Sequence, residues 1–149
     1  LFRSYYCEEY VGSSDLIYNA FIDLRRGNMT IEQFLGTLQK FFAGMPYSIT
    51  NKNERHYQSL LYALLVSVGA DVRAEVQTAT GRMDMVLRLS DAIYIFEFKH
   101  NKTAEVALQQ IKDNSYAVAF AADSRPVYEV GINFSSATRS LDQYLLEKL

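Results

Sequence analysis

The chain contains one cysteine, Cys7, and two histidines, His56 and His100, in 149 residues. A single thiol excludes an internal disulfide framework, a redox cysteine pair and a multi-cysteine zinc site, and two histidines do not make a histidine-rich metal centre. Any metal must therefore be bound by oxygen, and both histidines are expected to be polar surface or boundary residues. No run approaches the roughly 18–20 apolar residues that span a bilayer, and no basic-then-apolar leader opens the chain. A soluble, cytoplasmic protein without membrane contact is expected. Basic charge is also short: the net charge is −2 and the isoelectric point lies near 5.7, so any grip on nucleic acid must be local rather than global. A Ser/His/Asp nucleophile motif, a nucleotide-binding glycine loop, internal repeats, low-complexity tracts and linkers are all missing, and the chemistries they carry are set aside.

What remains is a chain with 49% hydrophobic residues, enough for one domain with a real core. It opens on Leu1 rather than Met, from which a fragment of a longer protein is expected. Residues 4–26 read as helical, with Tyr6, Tyr10, Leu16, Ile17, Ala20, Phe21 and Leu24 spaced for apolar contact and a break at residues 12–14. Thr30 followed by Gln33 resembles a capping box that opens a helix ending near Gly44. A polar loop over 45–53 delivers the chain to a strong helical pattern over 54–68, with Asn51 or Asn53 as its cap. Residues 71–78 alternate as an outer or partly exposed strand, with Val72, Ala74 and Val76 on one face. A helix is expected from Thr103 to about Phe120, with a small-residue face that includes Ala104, Ala107, Leu108, Ile111, Ser115 and Ala119. A strand over 127–134 then lies parallel to the 93–98 strand through a right-handed crossover. The type of the last element, 141–149, is left open.

The informative stretch is 81–99, where two strand-like runs end in charge. Residues 93–98 are β-branched and aromatic on both faces, the pattern of a central strand covered on each side, yet Glu97 interrupts it. With a side-chain period of two, Glu97 shares a face with Lys99, while Met83, Met85, Leu87 and Leu89 oppose Asp84, Val86 and Arg88. If the runs form a hairpin around Ser90 and Asp91, residue 89 pairs with 92, and the ladder carries Asp84 opposite Glu97. Like charges opposed across a ladder are destabilising. A divalent cation held by the two carboxylates removes that conflict and leaves positions open for chemistry. Lys99, on the same face, is placed to orient an attacking water and offset developing phosphate charge. An accidental Glu97/Lys99 ion pair in a purely structural domain leaves Asp84 unexplained.

Other charged residues carry two readings each. Glu54, at the N-terminal end of the inward face of its helix, either complements the helix dipole or reaches the metal site. Glu75 is either a further acidic ligand or an exposed strand residue. Arg82 either contacts phosphate or pairs with a carboxylate.

The order of a helix bearing Glu54, a strand, Gly81-Arg82-x-Asp84, then Ile-Phe-Glu97-Phe-Lys99 and a helix with Gln110 resembles the PD-(D/E)XK nuclease superfamily. More narrowly, the stretch from about Asn53 to Phe134 resembles the nuclease-like domain at the C-terminal end of bacterial AAA-ATPase-like proteins. The resemblance implies a restriction-endonuclease-like α/β fold: a mixed central sheet flanked by helices, here with a helical N-terminal part over 1–50, a core over 51–134 and a C-terminal element over 135–149 in a single domain. It implies Mg²⁺ or Mn²⁺ bound by Asp84, Glu97, the main-chain carbonyl of Phe98 and Glu54. In that pattern Lys99 assists the water, Arg82 and Gln110 lie at the substrate side, and DNA is cleaved. An ATPase domain earlier in the parent chain and a homodimer are further expectations. The alternative is a non-cleaving nuclease-fold module for binding or regulation attached to an ATPase. Two departures stand out: Arg82-Met83 replaces the usual proline before the first acid, and Tyr116 follows Gln110 by six positions, so a Gln-x-x-x-Tyr element is not met.

Overall fold

The computed structural model of the chain describes residues 15–45, 53–138 and 140–149. The expected helical residues 4–14, Tyr6, Tyr10, the break at 12–14, the alternative cap Asn51 and the rest of the 46–52 loop lie outside that set. Helix α1 covers 15–26 of the described residues, and α2 covers Ile31–Ala43. The capping box is present in full: Gln33 N donates to Thr30 Oγ1 at 3.2 Å and Thr30 N donates to Gln33 Oε1 at 2.9 Å. Helix α3, Glu54–Ser67, is capped by Asn53, whose Oδ1 accepts from His56 N at 3.1 Å, and Gly69 in the left-handed region closes it.

Among the described residues five strands follow, β1 Asp71–Thr78, β2 Gly81–Arg88, β3 Ile93–His100, β4 Val127–Ser135 and β5 Ser140–Lys148. They form one sheet in the order β1-β2-β3-β4-β5. The β3/β4 pair is parallel and the others are antiparallel. A mixed sheet with helices on both faces is the expected α/β architecture, and the open 141–149 element is its edge strand. Every residue of β3 from Ile93 to Lys99 is buried, as its two-sided apolar pattern requires.

One face of the sheet carries Phe96, Phe98, Ile132 and Phe134 against Phe21, Phe34, Phe42, Tyr57 and Leu61 of the first three helices. The Tyr57 and Phe134 rings stack at 4.4 Å, nearly parallel, at the close limit for aromatic pairs. The other face carries Val86 and Ile95 against Leu108, Ile111, Tyr116 and Phe120. Among the described residues no helix is long and apolar enough to cross a membrane.

Two local expectations are corrected. The helix after Thr103 does not run to Phe120: α4 ends at Asp113, Ser115 turns left-handed at φ 52°, and a 3₁₀ turn covers Tyr116–Phe120. A left-handed non-glycine residue cannot propagate an α-helix, so Ser115 and Ala119 fall on the outside while Tyr116 swings inward. The strict alternation of β1 and β2 also fails. Glu75 takes φ 55°, and the Glu75/Asp84 pair drops out of an otherwise continuous ladder. Val72 and Met85 therefore face the first three helices, whereas Val76 and Met83 face α4. Met83 does not share a face with Met85, because the kink reverses the pleat between them.

Gly131 sets how closely α4 lies on the sheet. A Cβ there would collide with Ala104 O and stand 2.7 Å from Leu108 N, and Gly131 is the β4 neighbour of Glu97. We expect Gly131→Ala to destabilise the domain by about 1–3 kcal/mol, as overpacking does, measured from urea unfolding midpoints at unchanged slope.

Candidate active site

The hairpin register is as the sequence implies: Leu89 N donates to Ala92 O at 2.8 Å, and the ladder runs through Arg88↔Ile93 to Met85↔Phe96. It stops there, one position short of Asp84 and Glu97. Instead of a neighbouring main-chain carbonyl, Asp84 Oδ2 accepts the Phe98 N–H at 2.9 Å. The opening between the strands is thus filled by a carboxylate, at the same position as the kink. The main chain of Asp84 is fixed from the opposite side, where buried Gln58 of α3 donates to Asp84 O at 2.9 Å.

Glu97 is 2% exposed and Lys99 8%. Their shared partner is Gln110, brought over β3 by α4: its Nε2 donates to Glu97 Oε1, and its Oε1 accepts from Lys99 Nζ at 2.5 Å. The amide orientation follows from the partners, since a carboxylate takes only donors and an ammonium only acceptors. Lys99 Nζ lies 3.5 Å from Glu97 Oε1. The second oxygen of Glu97, Oε2, is buried without a hydrogen-bond partner among the described residues.

Burial is the main reason that the Glu97 carboxyl is pushed up to about 8, with Asp84 raising it further, Lys99 opposing and Glu54 adding a smaller upward push. Asp84 is also raised by burial, against the Phe98 N–H and the charges of Lys99 and Arg82. Two adjacent carboxyls held above their ordinary range, with one oxygen unsatisfied, form a site short of positive charge. All its donors are oxygens, the set that suits a hard divalent cation.

The structure brings Asp84, Glu97, Lys99 and Gln110 together. Glu54 sits half-buried in the first turn of α3, close enough to be felt by Glu97, but among the described residues no three His, Cys, Asp or Glu side chains gather as a metal cluster. Arg82 is paired with Glu75 at 2.8 Å on the half-exposed rim: Arg82 meets a carboxylate here, and Glu75 stands at an exposed strand position.

The family model of the PD-(D/E)XK nuclease superfamily matches residues 52–144, a span that holds every residue of this constellation. The chain belongs to that superfamily. It is also 36% identical over 116 residues to the "Uncharacterized protein in vnfD 5'region" of Azotobacter chroococcum mcd 1, across 73% of this chain. That stretch is 22% of the relative's own length, so the chain spans about a fifth of it.

Within this PD-(D/E)XK domain, sequence reasoning missed two supports. Tyr116 OH donates to Arg82 O at 2.6 Å, and its hydroxyl, raised chiefly by burial, also interacts with Gln110. A spacing of six residues points away from Gln110 on a regular helix, and only the left-handed Ser115 corrects it. Gln58 had a visible signal, as a glutamine next to Tyr57 at the edge of an apolar helix face.

The sign of the Glu97 shift gives a pH dependence. Between its ordinary 4.5 and about 8, the unfolded chain releases a proton that the folded protein keeps, so metal-free stability falls as pH rises through that window and is fully present below it. Urea midpoints in EDTA from pH 5 to 8.5 should show this decline, and Glu97→Gln should flatten it.

Proposed function

We propose that this domain hydrolyses DNA phosphodiester bonds with Mg²⁺ or Mn²⁺. The observation that supports this reading most is the unpartnered Glu97 Oε2 beside Asp84, a buried oxygen that a cation would satisfy. Asp84, Glu97 and the main-chain carbonyl of Phe98 would hold the ion, with Glu54 closing the site from the end of α3. When bound, the ion supplies charge that stabilises the phosphorane-like transition state and activates water. Lys99, fixed by Gln110, orients the attacking water and offsets charge on the phosphate. Gln110 couples the positions of Glu97 and Lys99, while Gln58 and Tyr116 hold the backbone on either side of Met83. Arg82, on the rim, meets the substrate backbone while it stays paired with Glu75.

A second reading, a non-cleaving nuclease-fold module for binding or regulation, is favoured by the net charge of −2 and by Glu54 standing apart from the other two acids. The resemblance points to an ATPase-like domain elsewhere in the parent chain, and a relative several times longer than the match supports a parent longer than this stretch. A single domain is supported by a core that joins Ile17 to Leu141. Homodimerisation and a cytoplasmic location complete the proposal.

With Mg²⁺ or Mn²⁺ the protein should nick plasmid or degrade linear DNA. Asp84→Asn and Lys99→Ala should each lower the rate by about 100-fold or more, the scale of losing one electrostatic contact in the transition state. Equal cleavage by wild type and Asp84→Asn would sink the assignment. Calorimetric metal titration separates the readings further, because an enzyme must take up the ion in the presence of DNA.

A further inference from the structure

Beside the carboxylates lies a groove with a different chemistry. It has a volume of about 330 Å³ and is lined by Arg55, Gln58, Ser59 and Tyr62 of α3 and by Ala74 and Glu75 of β1, within the size range of clefts that take small ligands. Arg55, Ser59 and Tyr62 follow at i, i+4 and i+7, so they form one stripe along the helix. Two contacts tie the groove to the site described above: Gln58, in its wall, donates to Asp84 O, and Glu75 is paired with Arg82.

Three features narrow the occupant. Tyr62 is 37% exposed, an aromatic ring left open at a groove wall. Arg55 forms no ion pair among the described residues and is exposed, in contrast to Arg82. The one acid, Glu75, is neutralised by Arg82 at 2.8 Å. A free guanidinium and an open ring on one wall match the phosphate and base of a nucleotide, because every base has a π-face and every nucleotide an anion. A base inside a duplex is covered by its neighbours and cannot offer that face to Tyr62.

We propose that this groove seats an unpaired nucleotide next to the scissile phosphate, its base stacked on Tyr62 and its phosphate on Arg55, so that the domain acts on single-stranded or frayed DNA. The assignment deepens the nuclease reading and rests on it for the position of the scissile bond.

The test is fluorescence anisotropy of the full 149-residue chain in EDTA, where cleavage is blocked, with a labelled single-stranded deoxyoligonucleotide and a blunt duplex of equal length. Tyr62→Ala should weaken single-strand binding about tenfold, as loss of one stacked base does, while Tyr62→Phe stays within about twofold because the π-face is kept. Arg55→Ala should weaken binding and reduce the slope of log affinity against log salt by about 0.7, the value for one phosphate contact on a single strand. Duplex binding should hardly respond to Tyr62→Ala. Single-strand affinity unchanged in Tyr62→Ala, or equal losses on single strand and duplex, would overturn the proposal. Tyr62 lies at the surface, and circular dichroism of each variant confirms that it is folded. A parallel assay of wild type with Mg²⁺ separates the two readings. No cleavage alongside Tyr62-dependent single-strand affinity defeats the nuclease reading and leaves the groove. Cleavage with Tyr62→Ala at wild-type affinity and rate defeats the groove alone.

Discussion

The constraint on which the structure depends is a carboxylate in the middle of a buried strand. Glu97 stands in β3, the central strand of the sheet, with one oxygen satisfied by Gln110 and the other by no partner among the described residues. An isolated buried charge is too costly to keep, so such a group either takes up a proton or acquires a counter-charge. Lys99 supplies part of that counter-charge, and Asp84 adds to the demand rather than relieving it. A domain that keeps two acids and one ammonium there retains an arrangement that apolar residues would make more stable. The cation proposed for this site would offset that cost.

Much of the surrounding fold serves to bring polar groups to this position without breaking the sheet. The left-handed Glu75 and its partner Asp84 interrupt the β1/β2 ladder at one point. The kink frees the Asp84 side chain to accept the Phe98 N–H, so a main-chain donor left by the parted strands is not orphaned. On the other face Gly131 lets α4 approach β4 closely enough for Gln110 to span Glu97 and Lys99. The same helix must end at Asp113, because only the left-handed Ser115 turns Tyr116 back to the Arg82 carbonyl.

An acidic domain in a nuclease superfamily poses an electrostatic question that the charge distribution answers. The whole-molecule field does not favour a polyanion. The cations near the site are instead placed singly: Lys99 inside it, Arg82 at the rim paired with Glu75, and Arg55 in the groove of α3. The single-stranded substrate proposed above would be held by a few such contacts and by stacking, which need no basic stripe.

How much of this was legible beforehand depends on range. Local pattern and covalent geometry determined the Thr30/Gln33 capping box, a cap at Asn51 or Asn53, the buried character of β3 and the hairpin register from Leu89 and Ala92 to Met85 and Phe96, because each is settled within a few residues. The parallel β4 and the grouping of Asp84, Glu97, Lys99 and Gln110 were also readable, the first from crossover geometry and the last from the family pattern. The kink at Glu75 and Asp84 was not, since a pleat reversal requires one residue to enter an unfavourable backbone region that only neighbouring strands stabilise. Tyr116 was hidden for the same reason, because the Arg82 carbonyl it meets is distant in sequence, whereas Gln58 showed beside Tyr57 without its partner, the Asp84 carbonyl. Glu54 keeps both of its readings, and the Arg82 pair with Glu75 showed only once the β1 strand was placed. The sequence by itself determined which residues carry charge into the sheet. Only the tertiary structure decided which of them meet, because a contact between a helix and a strand depends on packing depth and backbone kinks that no local period encodes.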